Sequence, residues 1–154
     1  MSNNLEYLKE TISGLLKSAD ADCIVFVDHD SDLDELGKYI SALANQAVLY
    51  SKPYAYALWG IDPKSREIVG TEFSPDTTDF VVFLSTNTNF SLESVDYEEK
   101  RIVLLEVRCA VDTTIQYKGD EYILYNQRPD KLSNFQDEEK QIWRRLDTPV
   151  AFEN

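Results

Sequence analysis

Apolar side chains recur at three- and four-residue spacing near the start of the chain. Leu5, Leu8, Ile12, Leu15 and Leu16 share one stripe, which predicts a helix over residues 4–17 with Asn3 or Asn4 as its cap. Ser18–Asp22 reads as an acidic connection. Cys23–Val27 is wholly apolar and short, the pattern of a strand buried on both faces. Helical periodicity then returns. Leu36, Ile40, Leu43, Ala47 and Val48 form a second stripe, flanked by Tyr39 and Ala44, and predict a helix over Asp34–Tyr50. Lys52-Pro53 ends it, because proline disfavours helical geometry in the residue before it. Tyr54–Ile61 is mostly apolar and rich in aromatic residues, as a central strand should be. Asp62-Pro63-Lys64-Ser65 is turn chemistry, after which Ile68-Val69 is expected to resume the sheet and Gly70 to close it.

The next stretch mixes its signals. Phe80–Leu84 has strand composition, but Ser74-Pro75-Asp76 resembles a helix start, and a helix over Thr78–Ser85 is expected. Phe90–Tyr97 and Arg101–Ala110 read as strands joined by the polar turn Glu98-Glu99-Lys100, and Asp112-Thr113-Thr114 breaks the run. Ile115–Tyr117 and Glu121–Tyr125 predict a hairpin over Lys118-Gly119-Asp120. Gln136–Arg145 predicts a short last helix with Ile142 and Leu146 on one face and Trp143 beside them. Together these elements predict an α+β domain with a mixed, mainly antiparallel sheet of about five or six strands packed with helices. At 154 residues and 43% hydrophobic content, one core-bearing domain over residues 1–146 is expected, with 147–154 as a tail or linker.

Charge changes the picture. The formal net charge is −13 and the isoelectric point about 4.4, so bulk electrostatics opposes a phosphate-binding surface, which needs clustered Lys and Arg. No apolar run approaches the roughly 20 residues of a membrane helix, and the first ten residues are polar rather than signal-like. Cys23 and Cys109 sit in apolar runs and fit no zinc spacing. Two buried thiols in a reducing cytoplasm are expected.

Candidate chemistry is sparse. The alternating aspartates of Asp28–Glu35 invite a calcium-loop reading, but Leu33 stands at the glycine position and Tyr39 at the last bidentate position. Asp32 with Glu35 reads instead as an aspartate version of a capping box. His29, the single histidine, lies between Asp28 and Asp30 and reads as a solvated loop residue rather than a general base. No nucleophile elbow, phosphate-binding glycine loop or dinucleotide fingerprint is present, and no cofactor is expected.

Several ordered segments carry a resemblance. ISALANQA, YAYALWGID, EIVGTEF, RIVLLEVRCA, IQYKGDEYIL and the tryptophan-containing stretch Phe135–Leu146 resemble, in that order, the Schlafen-type, AlbA-related DNA-binding domain. The likeness spans Asp20–Leu146. It implies a domain that bacteria often carry at the N-terminus of transcriptional regulators. Some members of that family cut RNA with three carboxylates that hold a divalent metal. Aligned on Phe26 and on Gly60-Ile61-Asp62, those positions are Asp20, Val25 and Pro63, so the resemblance implies that two of three ligands are missing and that metal-dependent nuclease activity is not expected. The family's closing hairpin reads Tyr-Ile-Arg-x-Gly-Ser. Here Tyr122–Gln127 has lost the arginine, glycine and serine.

The local basic residues left for nucleic acid are Lys64, Arg66, Lys118, Arg128 and Lys131. Trp59 and Tyr56 read as core or partner-facing aromatics before base-stacking platforms. The leading expectation is a non-catalytic module of a bacterial transcriptional regulator that binds DNA or RNA. The alternative is an acidic protein–protein module, motivated by the seven carboxylates from Asp20 to Glu35, that engages a basic partner. The resemblance and the 12% aromatic content favour a homodimer.

Overall fold

A parallel strand pair needs a crossover, and here the crossover is the long second helix. The computed structural model describes residues 2–19, 21–76 and 80–147. It contains α1 (Ser2–Lys17), β1 (Ile24–Val27), α2 (Leu33–Leu49), β2 (Tyr54–Trp59), β3 (Phe90–Tyr97), β4 (Lys100–Arg108), β5 (Gln116–Tyr117), β6 (Asp120–Tyr125), β7 (Arg128–Lys131) and α3 (Gln136–Asp147). Short 3-10 turns occupy Val81–Phe83 and Leu132–Asn134. The fold is α+β, as expected, with mixed and mainly antiparallel strands. Those strands form two sheets rather than one: four in the order β1-β2-β4-β3 and three in the order β5-β6-β7. Only β1 and β2 run parallel.

The period-two alternation of the larger sheet decides its layers. Ile24, Phe26, Leu58, Ile102 and Leu104 face α1 and pack with its Leu8, Ile12 and Leu15. Val25, Val27, Ala55, Ala57, Trp59, Val103, Leu105 and Val107 face the other way, into the cluster that contains Leu36, Ile40, Leu43 and Ala47 of α2. Tyr54–Trp59 lies between β1 and β4, so it is central. Full burial of Leu36, Ile40 and Leu43 stabilises this layer by about 1.5–3 kcal/mol each.

Local chemistry accounts for the ends of α2. The Asp32 carboxylate accepts from the Glu35 backbone N–H at 2.8 Å, the predicted cap. Cys23 and Cys109 are buried and in no disulfide, and the Cys23 thiol donates to the Gln46 carbonyl at 3.8 Å. The helix α1 begins at Ser2, so Asn3 and Asn4 lie within it and do not cap it.

Two local expectations need correction, and one strand was not expected. Ile68-Val69 does not resume a strand. Ile68 makes a single bridge with Ile61, while the Val69 and Gly70 N–H groups both donate to the Gly60 carbonyl, which curls the loop instead. Of the helix expected over Thr78–Ser85, Thr78 and Asp79 lie outside the described residues and only one 3-10 turn forms in the rest. The reason is competition for backbone groups: the Phe83 carbonyl accepts from Lys118 and the Ser85 N–H donates to Gln116, so this segment lies along β5. Finally, Arg128–Lys131 is a strand that its Pro129 concealed. Pro129 is tolerated there because β7 is an edge.

The smaller sheet is fastened to α2 by polar side chains. The Asn45 amide donates to the carbonyls of Ile115 (3.1 Å) and Tyr122 (2.9 Å) and accepts from the Ile115 N–H (2.9 Å). The Ser41 hydroxyl donates to Ile115 O and accepts from Tyr122 N–H. Gln46 accepts from Leu124 N–H and donates to Asp22 O. Gly37 lets the sheet approach: a Cβ there would collide with the Tyr117 ring. Through Ile142 and Leu146, α3 joins the same core cluster.

Candidate nucleic-acid interface

The basic residues singled out in the sequence fall into two regions. Lys118, Arg128 and Lys131 belong to the smaller sheet, the first two at the N-terminal end of α2. Each faces a carboxylate there: Lys118 and Asp34 at 3.1 Å, Arg128 and Glu35 at 3.6 Å, Lys131 and Asp120 at 3.7 Å. Lys38 adds a second contact to Asp34 at 3.2 Å. Burial pushes the Asp34 carboxyl up, but hydrogen bonds from Lys118, Lys38 and Tyr117 outweigh it and hold its pKa below the usual value. The hydrogen bond to Asp34 in turn raises the pKa of Lys118. Lys118, Lys38 and Arg128 are thus tied to the acidic first turn that the helix dipole itself favours, while Lys131 pairs within the smaller sheet.

Glu35 is the busiest of these carboxylates. It accepts from the Ser31 hydroxyl, from the His29 ring at 3.2 Å and from Arg128. Ser31 accepts from Trp59 Nε1 at 2.9 Å. Trp59 itself is fully buried, edge-on to Tyr39 and tilted on Phe73, so it is a core residue. Tyr56 is half-buried and packs with the α1 cluster.

Lys64 and Arg66 lie elsewhere, in the loop that follows β2. The Asp62 carboxylate orders this loop by accepting the N–H groups of Lys64 and Ser65 at 2.8 and 2.9 Å, and these bonds depress its pKa. Arg66 donates to the carbonyls of Leu16 (3.1 Å) and Ser18 (2.6 Å) at the end of α1 and lies over the Phe26 ring. It joins α1 to the loop beside a cleft of about 580 Å³. That cleft brings in residues the sequence reading passed over: Lys17 from the last turn of α1, with Tyr97, Glu98 and Lys100 from the β3–β4 hairpin. Lys100 donates to Ile68 O at 3.2 Å and reaches into a neighbouring cleft of about 400 Å³ beside Arg101. Arg101 donates to the carbonyls of Thr71 and Phe73. None of Lys17, Lys64, Arg66, Lys100 and Arg101 has an ion pair with a described carboxylate. Their neighbours are main-chain carbonyls and carboxylates beyond ion-pair distance: Glu67 and Glu98 in the first cleft, Asp30 and Glu72 in the second, and Asp62 near Lys64. No sequence spacing could reveal this set, since residues 17, 66, 97 and 100 meet only through the hairpin's place beside the loop.

The metal positions implied by the resemblance look different in three dimensions. Asp20 lies outside the described residues. Val25 is buried in the core against α2, and Pro63 is exposed. Among the described residues no three His, Cys, Asp or Glu side chains are grouped to hold a metal ion. No described helix is long and apolar enough to cross a membrane.

Comparison with known proteins bears on this geometry. A crystal structure of the DIP2311 protein from Corynebacterium diphtheriae is similar in fold, with a TM-score of 0.52 at 16% sequence identity. The match covers 99% of this chain and 30% of that one, so the chain spans about a third of that protein's length. No curated protein matches the chain significantly. The family model described as Schlafen, AlbA_2 matches residues 17–148, which takes in both basic regions and the core from the end of α1 through α3, and the chain therefore belongs to the Schlafen AlbA_2 family.

Proposed function

We propose that this domain is a non-catalytic nucleic-acid-binding module of a bacterial transcriptional regulator, acting in the cytoplasm. Membership of the family supports a nucleic-acid-related role. The observation that carries the reading furthest is the cleft beside Arg66, where, among the described residues, Lys17 and Lys100 have no carboxylate at ion-pair distance in a chain of net charge −13. Val25 supports the absence of catalysis, because a buried valine cannot ligate the metal that the family's nucleases use. The test is a titration of labelled duplex DNA, single-stranded DNA and RNA at low and physiological salt. Binding that weakens steeply with salt is expected. No binding of any of them at low salt, where phosphate attraction is strongest, overturns the reading. Metal-dependent cleavage of structured RNA would overturn its non-catalytic part.

A second reading is favoured by a separate observation. Val81, Val82 and Phe83 are 38%, 74% and 48% exposed in succession, and such runs mark contact surfaces. With the exposed aspartates Asp28, Asp30 and Asp32, they suit a protein-binding module for a basic partner. The same apolar run supports a homodimer. A monomer mass by light scattering at high concentration would remove the dimer.

A further inference from the structure

We propose that the cleft between the end of α1, the loop after β2 and the β3–β4 hairpin holds an unstacked nucleotide of a single strand, and that it discriminates among bases. This rests on the nucleic-acid reading above and names the ligand of that site.

Three features of the lining point to a nucleotide rather than to a duplex backbone. The first is shape. A volume of about 580 Å³ lies in the range of pockets that enclose a small molecule, and a duplex keeps its bases stacked inside, out of reach of such a concavity. The second is the pairing of cations with an aromatic ring. Lys17 of α1 and Lys100 of β4 line the cleft together with Tyr97 at the end of β3, which is partly buried against the α1 cluster. A positive groove with an aromatic platform is how single strands are held, the phosphate by the cation and the base by the ring. Arg66 is the rigid part of the wall, fixed by two carbonyls and by the Phe26 ring.

The third feature is the two carboxylates. Glu67 and Glu98 line the same cleft. They would repel a ligand that offers only phosphate. They suit one that brings amino groups with its phosphate, since a carboxylate accepts from the exocyclic amine of a base. Adenine, cytosine and guanine carry such an amine and thymine does not. The turn that presents Glu98 is held in the left-handed region at both Glu98 (φ 50°) and Glu99 (φ 68°). That geometry matches a two-residue hairpin turn, here built without its usual glycine. It fixes Tyr97, Glu98 and Lys100 relative to one another.

The experiment uses the whole chain with short labelled oligodeoxyadenylate, oligothymidylate and a mixed-sequence duplex at low salt. Single strands should bind at least about tenfold more tightly than the duplex, and oligodeoxyadenylate several-fold more tightly than oligothymidylate. Tyr97→Ala and Lys100→Glu should each weaken single-strand binding by about tenfold. Tyr97→Phe keeps the ring and should retain affinity, which separates stacking from a folding defect, and Lys17→Glu repeats the charge test on another element. Lys140→Glu, which makes the same charge change on α3, should alter binding by less than about twofold.

Duplex bound as tightly as single strand overturns the proposal, as does unchanged binding in Tyr97→Ala and Lys100→Glu. Loss of binding on Lys118→Glu with Arg128→Glu, but not in the cleft variants, also overturns it and moves the site to α2. In all of these outcomes the nucleic-acid reading survives. Absence of binding to every probe removes both.

Discussion

The two sheets of this domain are held by different physics, and their cations differ accordingly. The four-stranded sheet is filled on both faces by apolar side chains, from α1 on one side and α2 on the other. Hydrophobic burial is non-directional and needs no charged partner, so basic groups around that sheet are left with main-chain carbonyls. The three-stranded sheet also buries apolar side chains against α2, Tyr117, Tyr122 and Ile123 among them, but it carries a second, polar fastening. It is fixed to α2 by the directional hydrogen bonds of Ser41, Asn45 and Gln46, and at its rim by Lys118 and Arg128 on the α2 carboxylates, with Lys131 pairing to Asp120 inside the sheet. The lesson is that cations can be equally exposed and yet differ in availability. Those around the smaller sheet are already engaged, and a ligand would have to displace an internal partner to use them.

The comparison can be broken most directly at Asn45. Asn45→Ala takes the side-chain partner from the buried Ile115 N–H and Tyr122 carbonyl, while the Ile115 carbonyl keeps Ser41; at about 1–3 kcal/mol for each of the two groups, a loss of about 2 kcal/mol or more is expected in urea denaturation. A loss near 1 kcal/mol would show that packing, not polar fastening, holds the smaller sheet. Alkaline titration comes next and samples both halves. Burial, aided by the nearby Glu35 charge, pushes Tyr39 of α2 up to about 12. Burial, aided by Glu106, pushes Tyr56 of β2 up to about 12. The folded state therefore keeps protons that the unfolded chain releases near its ordinary tyrosine pKa of about 10. Their contribution to stability is complete below about pH 10 and is lost as pH rises through about 12. Two late-titrating phenols in an ultraviolet absorbance titration, with unfolding midpoints that fall over this range, are the expected result.

A smaller effect is expected at the contact of α2 with β5. Gly37→Ala should gain helix propensity, yet its Cβ would collide with the Tyr117 ring, and overpacking of this kind costs about 1–3 kcal/mol. A more stable Gly37→Ala variant would mean that the smaller sheet can shift away from α2, which would sharpen the view of it as the less rigid half. The smallest effect belongs to the rim. Lys118→Gln removes an exposed pair and should leave the urea midpoint unchanged, because solvent screens such contacts. A clear loss of stability would make that ion pair a structural member rather than a surface one.

Periodicity alone determined much of this protein. The stripes of α1 and α2, the continuous apolar run of β1, the central place of β2 and the hairpin strands β3 and β4 all follow from local spacing, because each side chain's face is fixed by the 3.6- or two-residue repeat. The Asp32 cap is similarly local, with donor and acceptor three residues apart. What the tertiary structure decided are the features whose partners lie far along the chain. Phe80–Ser85 had helical and strand signals, and its backbone bonds to Gln116 and Lys118 settled the matter. Arg128–Lys131 became a strand because β6 offered its edge, against the local preference of Pro129. The division into two sheets depends on Asn45, which satisfies backbone groups 70 and 77 residues away. Most of all, sequence names the basic residues but not their neighbours. Whether a lysine meets a carboxylate, as Lys118 does, or a carbonyl at the rim of a cleft, as Lys100 does, is a matter of non-local geometry, since charge interactions depend on distances that only the fold sets.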